Sequence, residues 1–445
     1  MTKEKIALIS LGCAKNQVNS EQMLCLLDDA GYTLVPEPEV ADAVIVNTCG
    51  FIDAAKSEAI DVILEMAALK AEGRLRKIIV AGCLSERYRE QIKTELPEVD
   101  ALVGVGSFAE IVDLVRETLD GGDGEKMPER FGDKNAPVDE VGRYLTSGPG
   151  WAYLKIAEGC SNRCAFCAIP DIRGRYRSRP FENVVAEAAA LAESGVRELV
   201  VIAQDITRYG TDFNKNGKRR LAELCRALSE INGIEWIRLH YLYPDQFDDA
   251  LIDEIAANDK IVKYLDIPIQ HINDGILKRM NRRGTGGEIR ALFRTLRARI
   301  PGLVLRTSLI TGLPGEGEAE FEELCDFLRE AKIERAGVFP YSPEEGTPAA
   351  EMPDRCDAEE ARRRADRVLD IQAEIMDEWY AAQIGKTLRV LCTGAEGGYL
   401  TGRSYADSPE VDGLVWFEGS CPPGEFTEVR ITGLLDGELA GEEAH

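Results

Sequence analysis

The nine residues KIALISLGC, residues 5–13, show how the first part of the chain is built. Their apolar run is typical of a strand buried in a parallel sheet. It ends at Gly12-Cys13, where doubly wound α/β proteins commonly carry a glycine-rich phosphate loop, so the cysteine is unexpected. Four similar runs follow, each alternating with an amphipathic segment: YTLV, DAVIVN, KIIVAG and ALVGVG. Five strands alternating with helices predict a parallel doubly wound sheet over residues 3–119.

The rest of the chain divides into three predicted parts. Residues 120–145 begin with DGGDGEK and are expected to form a linker, because Gly, Asp and Lys are abundant there. Residues 146–374 contain six more strand-like runs with helical runs between most of them, which predicts an open, partial (β/α)6 barrel. Residues 375–441 contain short strand-like runs and turn signals such as SPEVDG and PPGE, which predict a small antiparallel β-barrel.

The chain of 445 residues is acidic, with 53 Lys and Arg against 78 Asp and Glu and a net charge of −25. Broad electrostatic binding of nucleic acid is therefore not expected, whereas a basic partner suits the charge. No apolar run approaches the ~20 residues of a membrane span, and the run over residues 6–11 is shorter than the roughly 7–15 residues of a secretion signal. We expect a cytoplasmic protein with no membrane partner. In that reducing compartment the twelve cysteines are expected to be core thiols, catalytic thiols or metal ligands.

The segment EGCSNRCAFC, residues 158–167, carries the strongest local pattern in the sequence. Cys160, Cys164 and Cys167 form C-x3-C-x2-C directly after the first predicted strand of the partial barrel. Three thiolates on one tight loop can each bind one iron of a [4Fe–4S] cluster and leave the fourth iron open to a substrate. A zinc site normally needs a fourth ligand, and no further Cys or His follows nearby. A cysteine-rich loop without metal is the remaining alternative.

Three further cysteines stand at the predicted ends of strands that are far apart in sequence. Cys13 ends the first strand, Cys49 the third and Cys83 the fourth. In a flavodoxin-like sheet of order 2-1-3-4-5 these strands are neighbours, and ligands bind at their carboxyl ends. The three cysteines would then meet at one site, where the glycine beside each of them leaves room for a bulky group. The pattern favours a second [4Fe–4S] cluster, and three buried thiols that only pack are the alternative.

The other six cysteines are not expected to bind metal. Four of them lie in helical or strand-like runs and are expected to pack in the core: Cys25, Cys225, Cys325 and Cys392. The remaining two, Cys356 and Cys421, lie in loops where no partner is predicted.

The segment GCSNRCAFC resembles the signature of the radical S-adenosylmethionine (SAM) superfamily, whose fold is a partial barrel of the kind predicted above. Together with the three N-terminal cysteines and the C-terminal β-barrel, this makes the chain similar to the methylthiotransferases of that superfamily. These enzymes have a cluster-bearing N-terminal domain, a radical SAM core and a TRAM domain. The resemblance covers residues 3–441, with the radical SAM core at residues 146–374 and the TRAM domain at residues 375–441.

The resemblance implies two [4Fe–4S] clusters and SAM as cofactors. Cys160, Cys164 and Cys167 would hold the cluster whose open iron binds the amino and carboxylate groups of SAM, and one electron from that cluster would cleave SAM to a 5′-deoxyadenosyl radical. A second cluster, which carries the sulfur to be inserted, would be held by the other triad: Cys13, Cys49 and Cys83.

The same resemblance suggests which residues contact SAM. Phe166 matches an aromatic position that lies near the adenine ring. Other contacts are expected from the carboxyl ends of the barrel strands, where the candidates are Gln204, Asp205, Gln270, Thr311 and Gly312. The alternative is that these are ordinary polar residues at the barrel rim. No general base is identified, so no catalytic side chain is named.

Two branches of the methylthiotransferase family differ in substrate. The segments SLGCAKNQVNSE, NTCGFID, AQDITRYGTD and PIQHINDGILKRMNRRGT resemble the RimO-type branch, although Ala14 stands where many of its members have proline. This implies that a methylthio group is added to the β-carbon of an aspartate in small-subunit ribosomal protein twelve. The tRNA branch typically has CxMN after the first cysteine and PVQSGS where this chain has PIQHIN. A tRNA adenosine methylthiotransferase is the alternative function.

The charge of the C-terminal tail bears on the same choice. Residues 385–445 contain four Lys and Arg against eleven Asp and Glu. A domain that binds RNA is expected to be basic. The acidic charge of this tail instead suits a Lys- and Arg-rich ribosomal protein. The basic stretch RGRYRSRP, residues 173–180, supports RNA binding if it faces the solvent. We favour the interpretation that it supplies charge near the anionic ligands of a cluster.

The implied reaction needs further partners. A sulfur donor and an electron donor such as flavodoxin or ferredoxin are expected, and the ribosomal protein is met either free or within the ribosomal subunit. A hypothesis from another functional class is a non-catalytic iron–sulfur electron carrier, which would need no SAM.

Overall fold

The computed structural model describes residues 4–121 and 126–444. Residues 122–125, which belong to the predicted linker, lie outside the described residues. The chain forms two compact units. The first comprises the described residues up to Thr146 together with Ala157–Arg179 and Ser342–Ala350, and the second comprises Ser147–Ile156, Pro180–Tyr341 and the described residues from Glu351 onward.

The first unit is built on a parallel sheet of six strands with the order β2-β1-β3-β4-β5-β6. The strands are β1 (Lys5–Ser10), β2 (Thr33–Leu34), β3 (Ala43–Thr48), β4 (Lys77–Gly82), β5 (Ala101–Val103) and β6 (Glu129–Arg130). The helices are α1 (Ala14–Asp29), α2 (Asp53–Ala71), α3 (Cys83–Arg87), α4 (Arg89–Glu95) and α5 (Ile111–Asp120). The predicted doubly wound sheet and its strand order are confirmed. The short, charged strand β6, inside the predicted linker, is an addition that no apolar pattern indicated.

Helices cover both faces of this sheet, which explains why its strands read as continuous apolar runs. Successive side chains of a strand point to opposite faces. On one face Val44 of β3 packs in the same core as Ile63 of α2. On the other face its neighbour Ile45 packs with Leu27 of α1 and Leu114 of α5. All five side chains are fully buried.

The segment after the sheet contributes to both units. β7 (Trp151–Lys155) belongs to the second unit, whereas β8 (Ala157–Glu158), α6 (Ile169–Arg173) and β9 (Arg177–Ser178) belong to the first. β8 and β9 form a short antiparallel pair. The loop between β8 and α6 carries the C-x3-C-x2-C pattern. The pairing of β8 with β9 holds together the two ends of the segment that contains this loop and α6.

The second unit contains a parallel sheet with the order β14-β13-β12-β11-β10-β7. Its further strands are β10 (Glu198–Ile202), β11 (Trp236–Leu239), β12 (Ile261–Asp266), β13 (Val304–Thr311) and β14 (Arg335–Pro340). The helices are α7 (Phe181–Glu193), α8 (Leu221–Ser229), α9 (Asp249–Ala257), α10 (Asp274–Arg279), α11 (Gly286–Arg299), α12 (Glu318–Ala331) and α13 (Ala358–Ala381). The predicted partial (β/α)6 barrel is confirmed.

The C-terminal part of the second unit is a closed barrel of five strands in the order β15-β16-β17-β19-β18. The strands are β15 (Thr387–Glu396), β16 (Tyr399–Ser404), β17 (Val415–Glu418), β18 (Phe426–Leu435) and β19 (Glu438–Glu443). All pairs are antiparallel except the pair of β17 with β19, which is parallel. The predicted small β-barrel is confirmed, and Cys392 and Cys421 both pack in its core.

Buried ion pairs connect this barrel to the parallel sheet of the same unit. Glu198, at the start of β10, is fully buried and pairs with Arg238 of β11 at 2.7 Å and with Arg403 of β16 at 2.6 Å. The pKa of the Glu198 carboxyl is lowered. Burial alone would raise this pKa, but the two guanidinium groups have the larger, opposite effect. The Arg403 side chain is therefore buried in an ion pair within the second unit.

Within residues 4–121 and 126–444, no helix combines the length and the apolar character that a membrane crossing requires.

Candidate functional site

The three N-terminal cysteines lie where three neighbouring parallel strands end. Cys13 is the N-cap of α1 after β1, Cys49 directly follows β3, and Cys83 begins α3 directly after β4. β3 lies between β1 and β4 in the sheet, so the three residues share its carboxyl edge. Burial raises the pKa of the Cys49 thiol to about 12, and the nearby Cys83 and Cys13 add to the increase. The structure thus brings the three predicted residues within electrostatic reach of one another.

Two glycines beside these cysteines have backbone conformations that favour glycine. Gly12 has a φ of +88° and Gly82 a φ of +92°. A Cβ atom on Gly12 would lie 2.6 Å from Cβ and 3.3 Å from Sγ of Cys49. The close approach of the β1 and β3 ends therefore depends on the missing side chain.

Replacing Gly12 by alanine is expected to destabilise the first unit and to lower the iron bound by the N-terminal triad. The backbone conformation alone costs about 1–3 kcal/mol for a residue with a side chain. Overlap with Cys49 adds to that cost. The measurements are the urea midpoint of unfolding and the iron content of protein prepared without oxygen.

The matched control for this variant is Gly73→Ala. Gly73 has a φ of +73°, but a Cβ atom there would meet nothing within 4 Å. This control carries the backbone cost without the overlap, so it is expected to bind iron normally. Equal urea midpoints and equal iron contents in the two variants would contradict a steric role for Gly12.

The donor atoms of this triad fit an iron–sulfur cluster better than a single ion. Cys13, Cys49 and Cys83 form no disulfide. Among the residues that the structure describes, no three His, Cys, Asp or Glu side chains converge as ligands of one metal ion. A [4Fe–4S] cluster needs a different arrangement, because each cysteine binds its own iron. Three thiols at the carboxyl ends of neighbouring strands can each bind a separate iron in this way.

Arg173 belongs to this site, although it was predicted only as one of several residues in a basic stretch. It is the last residue of α6, its side chain is 2% exposed, and its Nε donates to Sγ of Cys83 at 3.4 Å. It also forms an ion pair with Glu158 at 3.0 Å. The sequence shows only that the stretch is basic; the contact with Cys83 spans ninety residues and has no sequence signal.

The charge of Arg173 influences the thiols. Burial raises the pKa of the Cys83 thiol, and Arg173 opposes that increase. Burial also acts to raise the pKa of Cys13, but Lys15 and Arg173 outweigh it, so the pKa of Cys13 is lowered. Since cysteine binds iron as the thiolate, these positive charges favour the form that a cluster requires.

The second triad lies on the loop between β8 and α6. Cys160, Cys164 and Cys167 are each partly exposed. The N–H of Cys167 donates to the carbonyl of Cys164 at 3.0 Å, and the N–H of Cys160 donates to the carbonyl of Gly174 at 3.1 Å. The first of these bonds forms a turn within the loop, and the second ties the start of the loop to the residue that follows α6. Three thiols in so short a loop, with no fourth cysteine in it, fit a cluster with one iron left open.

A cleft of about 240 Å³ opens beside this loop in the first unit. Cys160 lines it together with the basic residues Lys134, Arg163 and Arg175, and Asp171 lines it as well. The cleft makes the surroundings of Cys160 locally basic in an acidic chain.

The structure places the six SAM candidates in both units. Phe166 is half-buried on the cysteine loop of the first unit. The others follow or end strands of the second unit: Gln204 and Asp205 after β10, Gln270 after β12, and Thr311 and Gly312 at the end of β13. The structure brings Gln270 beside β13, where its N–H donates to the carbonyl of Ser308 and its carbonyl accepts from the N–H of Ile310, both at 2.9 Å.

The side chains of Asp205 and Thr311 bind partners inside the protein. Asp205 is buried, accepts from the N–H of Thr207 at 3.1 Å and pairs with Arg208 at 3.2 Å, so it fixes the turn after β10. The Thr311 hydroxyl donates to the carbonyl of Ala361 in α13 at 2.8 Å. The Thr311 hydroxyl oxygen can still accept a hydrogen bond from a ligand.

Three family models match the chain in succession. UPF0004, described as an uncharacterized protein family, matches residues 5–104. The radical SAM superfamily matches residues 154–328, and the TRAM domain matches residues 384–443. The first match contains all three N-terminal cysteines, and the second contains the C-x3-C-x2-C loop.

Curated relatives match almost the whole chain. The ribosomal protein uS12 methylthiotransferase RimO of Caldanaerobacter subterraneus subsp. tengcongensis is 47% identical over 440 residues, which are 98% of this chain and 99% of that protein. The protein of the same name from Clostridioides difficile is 45% identical over 441 residues, which are 98% of each chain.

Solved structures of the same fold are more distant in sequence. The radical SAM methyltransferase TsrM from Kitasatospora setae, with cobalamin and a [4Fe-4S] cluster bound, has a TM-score of 0.57 and 15% identity, covering 90% of this chain and 81% of that one. The cobalamin-dependent SAM radical enzyme OxsB has a TM-score of 0.52 and 14% identity, covering 85% of this chain and 56% of that one. At these identities the likeness concerns the fold alone.

Proposed function

Because this chain belongs to the family of ribosomal protein uS12 methylthiotransferases named RimO, we propose that it attaches a methylthio group to the β-carbon of an aspartate in that ribosomal protein. The observation that carries the proposal is the meeting of Cys13, Cys49 and Cys83 at one sheet edge. A radical SAM core alone serves many reactions, and a second cluster site is what sulfur insertion adds to it.

We propose that each cysteine triad holds one [4Fe–4S] cluster. Cys160, Cys164 and Cys167 would hold the cluster that binds SAM, and the other cluster would be held by Cys13, Cys49 and Cys83. When both clusters are bound, the first supplies the electron for reductive cleavage of SAM, and the second carries the sulfur that is inserted. The chain itself supplies the thiolates, the close approach of the β1 and β3 ends that Gly12 allows, and the charge of Arg173.

For SAM itself, we propose the six candidates as its contacts. Phe166, half-buried next to Cys167, would pack against the adenine ring. Gln204, Asp205, Gln270, Thr311 and Gly312 would contribute from the strand ends of the second unit. Asp205 would act by fixing the turn that presents Gln204, and Thr311 would act as a hydrogen-bond acceptor.

The charge of the TRAM domain supports a basic protein as the substrate. Of its four Lys and Arg residues, Arg403 is buried in the ion pair with Glu198, and Arg430 pairs with Glu442 at 2.5 Å. Few cations are left for phosphate contacts, which dominate RNA binding. The exposed acidic residues of the tail suit the Lys- and Arg-rich surface of a ribosomal protein, whereas Asp407 is buried in an ion pair with Arg335.

The basic stretch over residues 173–180 gives little support to a tRNA substrate. Arg173 is buried against Cys83, and Arg179 is buried in an ion pair with Glu140. Arg177 is half-buried and donates to the carbonyl of Arg173 at 3.2 Å. Only Arg175 of the four is exposed. Arg173 and Arg179 therefore serve the interior of the first unit, and the contact of Arg173 with Cys83 supports the interpretation that the stretch supplies charge near a cluster.

The test is mass spectrometry of ribosomal protein uS12 and of tRNA from cells that lack this gene. We expect the peptide with the modified aspartate to lose the mass of the methylthio group, while methylthio-adenosine in tRNA is unchanged. Re-expression of the gene is the control and should restore the modification. An unchanged peptide mass would overturn the proposal, and loss of methylthio-adenosine would favour the tRNA alternative.

We also propose where the further partners act. An electron donor such as flavodoxin or ferredoxin would approach the cleft beside Cys160, because Lys134, Arg163 and Arg175 attract an acidic carrier there. A sulfur donor would supply the N-terminal triad. The cytoplasm is the proposed location, since the proposed substrate is a ribosomal protein.

A further inference from the structure

Arg173 carries a permanent positive charge into the interior of the first unit, next to the N-terminal triad. Its guanidinium donates to four partners: Sγ of Cys83 at 3.4 Å, Oε1 of Glu158 at 3.0 Å, Oδ1 of Asn19 at 3.3 Å and Oδ1 of Asn16 at 2.8 Å. One carboxylate and two amide oxygens hold the group in place, and its Nε–H is directed at sulfur. An arginine that only balanced Glu158 would not need this last contact.

Asn16 fixes the guanidinium from the side of α1. Its amide nitrogen donates to the carbonyl of Leu11 at 2.9 Å and to the carbonyl of Thr48 at 3.0 Å, so its oxygen faces Arg173. Leu11 lies two residues before the first cysteine of the triad, and Thr48 lies directly before the second. The backbone of both segments is thus tied to the guanidinium that contacts the third cysteine.

Arg173 also belongs to the segment that carries the other triad. The residue after it, Gly174, accepts the N–H of Cys160 at 3.1 Å. Its ion-pair partner Glu158 lies two residues before Cys160. Arg173 therefore connects the two cysteine sites within the first unit.

We propose that Arg173 is a positioning residue of the N-terminal cluster, which donates a hydrogen bond to the sulfur of Cys83 and places a positive charge beside the cluster thiolates. This rests on the proposed assignment of a cluster to that triad. Partners outside the ligand set orient the ligands, and hydrogen bonds to sulfur and nearby charge set the reduction potential. A positive charge stabilises the reduced cluster, which is the more negative state. Arg173 is expected to raise the midpoint potential and to slow the loss of iron.

The test uses the full chain with Cys160, Cys164 and Cys167 replaced by alanine, so that the measured iron loss and midpoint potential belong to the N-terminal cluster. In this parent, Arg173→Gln is expected to speed iron loss to a chelator about 10–100-fold and to shift the midpoint potential to a more negative value. Arg173→Lys keeps the charge and is expected to keep the potential close to that of the parent. Arg116→Gln is the surface control, since the Arg116 side chain is 60% exposed in the same unit, and it is expected to change neither quantity.

A second variant separates the effect on the cluster from an effect on folding. Arg173→Gln alone removes the guanidinium from the buried Glu158, which can destabilise the unit. The double variant Arg173→Gln/Glu158→Gln removes both charges together and is expected to unfold at a urea midpoint close to that of the parent. It should still lose iron faster, because the hydrogen bond to Cys83 is absent, and its shift in potential is expected to be smaller than that of Arg173→Gln, because the negative charge of Glu158 near Cys83 is removed as well.

The outcomes distinguish the two proposals. If the parent binds no iron, the assignment of the N-terminal cluster is wrong. If the parent binds iron, and the folded double variant keeps the parent's potential and rate of iron loss, the inference about Arg173 is overturned.

Discussion

Replacing Cys160 by alanine is expected to abolish the reductive cleavage of SAM to 5′-deoxyadenosine. Cys160 is one of only three thiols on its loop, and no fourth cysteine of that loop can take its place. Loss of one of three ligands should release the cluster, so iron is expected to fall from roughly eight to roughly four atoms per chain. Methylthio transfer to ribosomal protein uS12 should stop as well. The measurements are chromatography of the SAM products after chemical reduction and iron counting on protein prepared without oxygen.

Cys225→Ala is the control for this experiment. Cys225 is a fully buried thiol of α8, where burial raises its pKa to about 12, and it belongs to neither cysteine triad. That variant should keep both the iron content and the cleavage of SAM. Undiminished 5′-deoxyadenosine from the Cys160→Ala protein would contradict the role given to the loop.

The triple variant Cys13→Ala/Cys49→Ala/Cys83→Ala is expected to separate the two activities, because methylthio transfer is lost while SAM cleavage remains. It should lose methylthio transfer completely, because the site that carries the inserted sulfur is removed. It should still cleave SAM, because the C-x3-C-x2-C loop is intact. Iron is again expected to fall from roughly eight to roughly four atoms per chain. Mass spectrometry of ribosomal protein uS12 and quantification of 5′-deoxyadenosine, on the same preparations, check both parts.

Cys25→Ala is the matched control for the triple variant. Cys25 is a thiol of α1, the helix that Cys13 caps, and it is partly exposed. Its replacement should leave transfer and iron unchanged. Methylthio transfer by the triple variant at the wild-type rate would exclude the N-terminal triad as the sulfur-carrying site. Loss of SAM cleavage in the triple variant would show instead that the two cysteine sites depend on each other.

Most of the fold could be predicted because hydrophobic periodicity is a local property of the sequence. The strand KIALISL and its four successors alternate with helices, and the parallel order of their strands follows from that alternation. The strand β6 escaped prediction because its two residues, Glu129 and Arg130, are charged and pair only at the sheet edge. The parallel pairing of β17 with β19 in the C-terminal barrel was also not predicted. The relative direction of two paired strands depends on how distant segments pack together.

The loop triad follows from the sequence alone, because C-x3-C-x2-C places three thiols on one short segment whatever surrounds it. The second triad could also be inferred from the sequence, since the order of parallel strands decides which of their ends are neighbours. The contact of Arg173 with Cys83, and the hydrogen bond from Arg173 to Asn16, are seen only in the folded chain. Spacing along the chain fixes the position of a side chain on its own helix or strand. A contact across ninety residues depends instead on how separate elements pack, and no local pattern records it.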